Sequence, residues 1–150
     1  MENKKLVIFD FSGVFVNVVS EVSSVLYGKV QILAKKYILS VISSMSSGTI
    51  ISFLEEKGIR EYFADVMGYE ILRSKAGRIN YLLKKYNISP TNAVYITDTA
   101  GDINEAGKCW VKAIAVTWGF QSKEELEKAG PTKIIDSPLN LVGAIEDVLK

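Results

Sequence analysis

The chain reads as an α/β protein, a mainly parallel sheet with helices on both faces, and three observations predict it. Short apolar runs alternate with stretches in which apolar residues recur at helical spacing. The short runs are continuously apolar rather than alternating, as strands buried on both faces are. Capping and turn residues punctuate them, so strands and helices follow one another along the whole chain.

Leu6-Val7-Ile8-Phe9 stops at Asp10 and reads as a buried first strand. Val22, Val25, Leu26, Val30 and Leu33 lie on one face of a helix over roughly 20–36. Tyr37 to Ile42 is the second strand, ending in Ser43, Ser44, Ser46 and Ser47. Ile50, Ile51, Phe53 and Leu54 form the next helical stripe, with Gly58 as its stop. Tyr62 to Met67 is expected as a third strand. Ile79, Leu82, Leu83 and Tyr86 follow the helix period, and Asn87 ends that helix. Val94-Tyr95-Ile96 is a fourth strand that stops before Asp98. Asp102 and Glu105 have capping-box spacing, which predicts a short helix starting at Asp102. Ala113 to Val116 is a fifth strand. Ser122 and Glu125 form a second capping box, Gly130-Pro131 ends that helix, and Lys133-Ile134-Ile135 is a small sixth strand. Ser137-Pro138 opens a last helix carrying Leu141, Val142, Ile145, Val148 and Leu149.

At 150 residues the chain is the size of one ordinary domain, and residues 1–150 read as a single unit without repeat or linker. A net charge of +1 gives no electrostatic case for nucleic acid as a partner. There is no histidine, which excludes a Ser-His-Asp triad, a Cys-His pair and zinc held by imidazole. Cys109 is alone, so no internal disulfide forms, which fits a cytoplasmic location; its apolar neighbours read it as a small buried hydrophobe. The start Met1-Glu2-Asn3-Lys4-Lys5 is charged and is not read as a signal peptide. The longest uncharged run, Tyr37 to Leu54, holds six serines, a threonine and a glycine, so it is not read as a membrane span. Trp110 is expected in the core, and Lys35-Lys36 and Lys84-Lys85 on solvated helix faces.

Ligands of open α/β sheets bind beyond the carboxyl ends of the strands. Asp10, Ser43 and Asp98 each follow a strand, Asp102 lies a turn further, and Lys75 precedes the helix that leads to the fourth strand. Carboxylates gathered on one rim repel one another unless a cation lies among them. Mg²⁺ takes few carboxylates, some waters and a phosphate oxygen. A lysine and a hydroxyl suit the remaining phosphate charge. The set suggests phosphoryl chemistry with Mg²⁺. The competing reading, that Asp10, Asp98 and Asp102 are only helix caps, is weakened by their sharing a rim.

The stretch Val7-Ile8-Phe9-Asp10-Phe11-Ser12-Gly13-Val14 resembles the first motif of the haloacid dehalogenase superfamily. Ser43 after Ile38 to Ile42 is similar to the second motif, Lys75 in Arg73-Ser74-Lys75 to the third, and Thr97-Asp98-Thr99-Ala100-Gly101-Asp102 to the fourth. The half of the chain running through Val116-Thr117-Trp118-Gly119-Phe120 looks most like the phosphoglycolate phosphatase branch. The resemblance implies a three-layer α/β/α, Rossmann-like fold. It implies that Asp10 is the nucleophile that becomes an aspartyl-phosphate. It implies that Asp10, the Ser12 carbonyl and Asp98 hold Mg²⁺ with help from Asp102, and that Ser43, the amide region of Ser44 and Lys75 bind phosphate, Lys75 also neutralising Asp10. Halide removal from a carboxylic acid is disfavoured, because those relatives lack this Asp-rich fourth motif.

Two departures follow from the same resemblance. Family phosphatases carry a second Asp as general acid-base where this chain has Ser12, and such a group contributes roughly 10²–10⁴-fold, so low activity is expected. About thirty residues separate Gly13 from Ser43, room for one helix and not for the cap domain that phosphoglycolate-type relatives place there. The expectation is a capless phosphatase acting on a small phosphorylated substrate, or on an exposed phosphate of a larger one, with a homo-oligomer open. The rival expectation is a catalytically impaired binding or oligomerisation module of the same fold.

Overall fold

A computed structural model describes residues 4–150; the charged start at Met1, Glu2 and Asn3 lies outside them. Six strands alternate with helices, as the sequence predicts: β1 (Leu6–Phe9), α1 (Ser20–Ala34), β2 (Ile38–Ile42), α2 (Ser47–Glu56), β3 (Asp65–Met67), α3 (Lys75–Tyr86), β4 (Ala93–Thr97), α4 (Ala100–Lys108), β5 (Lys112–Val116), α5 (Lys123–Lys128), β6 (Lys133–Ile135) and α6 (Leu141–Leu149). They form one sheet of order β3-β2-β1-β4-β5-β6, with every pairing parallel. Leu6 sits opposite Ile38 on one side and Ala93 on the other, so β1 is central. The chain runs outward from β1 to β3, then restarts at β4 against the other edge of β1. That reversal between β1 and β4 is the switch point at which such sheets open a crevice.

The period of two within each strand divides the core. Val7 and Phe9 of β1, with Val94 and Ile96 of β4, pack with Leu26 and Val30 of α1, Ile50 and Leu54 of α2, and Leu141 and Ile145 of α6. Leu6, Ile8 and Tyr95 face the other way, onto Ile79 and Leu82 of α3, Ile103 and Ala106 of α4, and Leu126 of α5. The result is the expected three layers. Between β1 and β2 the chain holds α1 and no second unit.

The loop leaving β1 is pinned from below by aromatic rings. Phe9 and Phe15 lie with ring centroids 5.3 Å apart, and Phe11 meets Phe53 of α2 edge-on at 5.1 Å. Each such pair contributes about 0.5–1.5 kcal/mol beyond its burial. The backbone after Asp10 is thereby held on a fixed path.

Several boundaries differ from expectation. The third strand is only Asp65–Met67, because Arg60–Tyr62 forms a 3₁₀ turn that the Arg60 guanidinium closes by donating to the Phe63 carbonyl. A 3₁₀ turn at Pro138–Asn140 precedes α6. Asp102 does not start its helix: Thr99 is the N-cap, its hydroxyl accepting from the Asp102 amide, and α4 begins at Ala100. Trp110 is 82% exposed instead of buried. It takes the left-handed position after α4 (φ 62°), its amide donating to the Gly107 carbonyl while that of Val111 reaches Ala106. That is the helix-ending arrangement glycine usually serves, and here it turns the indole outward. Lys84 and Lys85 are exposed, as expected, and Lys85 also pairs with Asp65 at 2.5 Å. Cys109 is buried, as expected. Among the described residues no helix is long and apolar enough to cross a membrane.

Candidate active site

Asp10 extends β1 by one residue, its amide donating to the Ile96 carbonyl at 2.9 Å. Only 4% of it is exposed. Its Oδ1 accepts from the Phe11 amide at 2.8 Å and from Lys75 Nζ at 3.2 Å. Lys75 is the first residue of α3, placed there by the Ser74 cap, whose hydroxyl accepts from the Gly77 amide. The same ammonium reaches Asp102 Oδ2 at 2.7 Å. Lys75 is thus a bridge between two carboxylates carried by β1 and α4.

Asp102 lies in the first turn of α4, where the helix dipole favours a carboxylate. Its Oδ2 collects three donors: Lys75, the Tyr95 hydroxyl at 2.9 Å and the Thr97 hydroxyl at 3.1 Å. Burial presses its pKa upward, but Lys75, the neighbouring Asp10 carboxyl and the Tyr95 hydroxyl outweigh burial and hold it below the usual carboxylate value. For Asp10 the balance is reversed. Burial and the neighbouring Asp102 charge push its pKa up to about 8 against the pull of Lys75. Burial also works against the Lys75 charge, yet the two carboxylates prevail and hold its pKa above the ordinary lysine value. Tyr95, wholly buried and next to Asp10 and Asp102, is held far above its ordinary value and stays a neutral donor.

Asp98 follows β4 and is fully buried. Its Oδ2 accepts from the Phe120 amide at 2.8 Å, whereas its Oδ1 has no hydrogen-bond partner. Burial raises its pKa. Two glycines make room for it. A Cβ on Gly13 would lie 2.0 Å from Asp98 Oδ2, and one on Gly119 would lie 2.3 Å from it. Gly13 also has φ +80°, so both space and backbone require glycine there. The Asp98 carboxylate therefore abuts the Ser12-Gly13 turn of the β1 loop.

Asp10, Lys75 and Asp102 are thus in direct contact, and Asp98 is beside the same loop. No hydrogen bond joins Asp98 to either other carboxylate among the described residues, and no set of three acidic side chains converges on one point. Ser43 is buried at the end of β2, its hydroxyl accepting from the Met45 amide at 3.1 Å. Ser44 is exposed. The Ser12 hydroxyl faces the Met45 sulfur at 3.4 Å, so the position expected to carry an acid-base holds a side chain engaged with a thioether.

Three contributors were not singled out in the sequence. Thr97 and Tyr95 sit inside an apolar strand, and the only signal was that a buried tyrosine hydroxyl needs a partner. Arg78, on α3, is 2% exposed and donates to backbone carbonyls at Ser43, Met67 and Ser74. Arginine is almost never buried without a partner, so nothing in the sequence marked it.

The chain matches the haloacid dehalogenase-like hydrolase family over residues 10–116. It is 28% identical over 120 residues to a phosphoglycolate phosphatase of Synechococcus elongatus, a match covering 80% of this chain and 57% of that one. With a phosphoglycolate phosphatase of Vibrio vulnificus it shares 25% identity over 112 residues, 73% of this chain and 49% of the other. The chain therefore spans about half the length of the curated relatives it matches. A haloacid dehalogenase-like hydrolase of Streptococcus pneumoniae superposes with a TM-score of 0.80 over 94% of this chain and 98% of its own, at 16% identity, a likeness of fold. A predicted phosphatase of Clostridium acetobutylicum reaches a TM-score of 0.73 at 28% identity, over 86% of this chain and 60% of its own.

Proposed function

This chain belongs to the haloacid dehalogenase-like hydrolases, and from that premise we propose that it is a phosphatase of phosphate monoesters, working through Asp10 as the nucleophile. The observation that carries the proposal is the Lys75 bridge between Asp10 and Asp102 at the switch point, with the Asp98 carboxylate buried beside it. A purely structural rim gains nothing from two carboxylates sharing one lysine with a third buried beside them, because like charges at close range destabilise one another.

The donor set fits a divalent cation on one feature of the structure. Asp98 Oδ1 is buried without a donor, which costs free energy unless a cation satisfies it. Asp10, Asp98 and the Ser12 carbonyl would hold Mg²⁺, with Asp102 assisting, a set of few carboxylates of the kind that ion accepts. When bound, the ion supplies charge neutralisation to Asp10 and to phosphate oxygens.

The residues of the chain do the rest. Ser43 and Lys75 bind phosphate oxygens, and the amides near Phe11 and Ser44 add donors. Asp10 attacks phosphorus, the bond to the leaving oxygen breaks, and an aspartyl-phosphate forms. Water then attacks that phosphorus, releasing inorganic phosphate and restoring Asp10. In both steps a proton must be moved. Ser12 moves none at neutral pH, so protons come from and go to solvent, and turnover is slow for esters with poor leaving groups. The substrate is a small phosphate monoester or an exposed phosphate on a larger molecule. The names of its relatives make phosphoglycolate the first natural compound to try.

The engagement of Ser12 with Met45 favours a second reading, an impaired member of the family that binds without turning over. Hydrolysis of p-nitrophenyl phosphate, an ester with a good leaving group, separates the two. The phosphatase reading expects release of p-nitrophenol that needs Mg²⁺, stops with chelator and is absent in Asp10→Asn. Release no greater than in that variant, at any Mg²⁺ concentration, hands the chain to the second reading.

A further inference from the structure

Arg78 is buried, yet among the described residues no carboxylate pairs with it. Its Nε donates to the Ser74 carbonyl at 3.3 Å. Its Nη1 donates to the carbonyls of Ser43 and of Met67, the latter at 3.3 Å. Those acceptors end three different segments: Ser43 follows β2, Met67 ends β3, and Ser74 caps α3 just before Lys75. The Met67 carbonyl also accepts the Ser43 amide at 3.0 Å. One guanidinium therefore ties the serine loop to the start of the helix that carries Lys75.

Carbonyls satisfy the donors of a guanidinium but not its charge. Leaving a cation buried without a contacting counterion is costly, as burial's downward pull on the Arg78 pKa shows, and an apolar side chain of similar volume would avoid that cost. Its charge is supported only from a distance, by Asp102 and Asp10 at the rim, by Tyr95 between them, and by the exposed Glu70. That rim has three carboxylates and, without Arg78, one lysine. A dianionic phosphate arriving at Ser43 and Lys75 would add further negative charge.

We infer that Arg78 is a positioning residue for phosphate recognition: it fixes the Ser43 loop against α3 and places a second positive charge behind it. The inference rests on the phosphatase reading for where phosphate binds. It goes further by assigning affinity to a residue that touches no substrate and lies outside the four motifs. Its signature is in binding rather than in the chemical step, because the guanidinium acts on the ground state and the transition state alike.

The test compares the full chain with Arg78→Met and Arg78→Lys in Mg²⁺. KM and kcat are read on p-nitrophenyl phosphate, the Kd of inorganic phosphate by calorimetry, and folding by circular dichroism and melting temperature. Arg78→Met is expected to raise KM and phosphate Kd together by roughly tenfold, with kcat within about threefold. Arg78→Lys, which keeps the charge and loses the fork, is expected to raise both by roughly threefold. Folded variants with lowered melting temperature but unchanged KM and phosphate Kd overturn the inference and make Arg78 a structural clamp. Should Arg78→Met not fold, unchanged values in Arg78→Lys overturn it alone. A chain that binds phosphate but hydrolyses no ester ends the phosphatase reading, and the phosphate Kd of the variants then decides for Arg78. A chain that binds no phosphate overturns both.

Discussion

Two of the fold's buried aspartates are built from the same parts, and only one of them lies in the candidate active site. Asp102 takes a lysine, a tyrosine hydroxyl and a threonine hydroxyl. Asp65, at the start of β3, takes Lys85 Nζ at 2.5 Å, the Tyr86 hydroxyl at 2.5 Å and the Ser40 hydroxyl at 2.9 Å. Both lysines even come from the same helix, Lys75 in its first turn and Lys85 in its last. The Asp65 cluster is closed: one carboxylate, one ammonium, and both carboxylate oxygens satisfied locally. The Asp102 cluster is left open. Its lysine is shared with Asp10, a third carboxylate is buried nearby, and one oxygen of that carboxylate has no partner. Composition does not distinguish a structural staple from a reactive centre here. Unbalanced charge at the switch point of the sheet does.

The comparison breaks most readily at Asp10. Asp10→Asn should lower Mg²⁺-dependent hydrolysis by on the order of 10³-fold or more, since no other group can replace the nucleophile. The same change should raise the melting temperature at neutral pH, because it removes a carboxyl whose ionisation burial and Asp102 oppose, its pKa pushed up to about 8. A fall in melting temperature would put Asp10 in the class of Asp65. Lys75→Met should cost on the order of 10²-fold in activity and, unlike Asp10→Asn, about 3 kcal/mol in denaturant unfolding, because it takes the one bridging cation from the buried Asp10-Asp102 pair. Ser12→Asp restores the missing acid-base and should raise turnover of poor leaving groups by about tenfold or more. No gain in kcat would place the limit elsewhere than at position 12. The smallest effect on activity is expected at the closed cluster. Asp65→Asn should change kcat and KM less than about twofold while costing about 1–3 kcal/mol of stability, the loss of charge on a buried acceptor of three hydrogen bonds.

Much of this architecture was legible from residue order. Leu6–Phe9 is apolar without interruption and forms the central strand, as a run buried on both faces should. Asn87 ends α3 in a left-handed conformation, a role its side chain tolerates well. The misreadings have local causes. Asp102 and Glu105 have capping spacing, but Thr99 stands three residues earlier and takes the cap, which freed the Asp102 carboxylate to turn inward. Trp110 has the composition of a core residue and the position of a helix-terminating glycine, and position prevailed. Tyr62 belongs by composition to a strand and by hydrogen bonding to the turn before it.

The sequence by itself determined the α/β class, the order of elements and the presence of Asp10, Asp98, Asp102, Lys75 and Ser43 near one rim, because strand ends in a parallel sheet point the same way and periodicity locates those ends. It could not assign Lys75 to both carboxylates, expose the unpartnered oxygen of Asp98, or bring Arg78 beneath the Ser43 loop. Those depend on how α3 and α4 pack across the sheet from β1 and β4. Contacts between residues 27, 35 or 65 positions apart follow from the geometry of that packing and have no local signature in the chain.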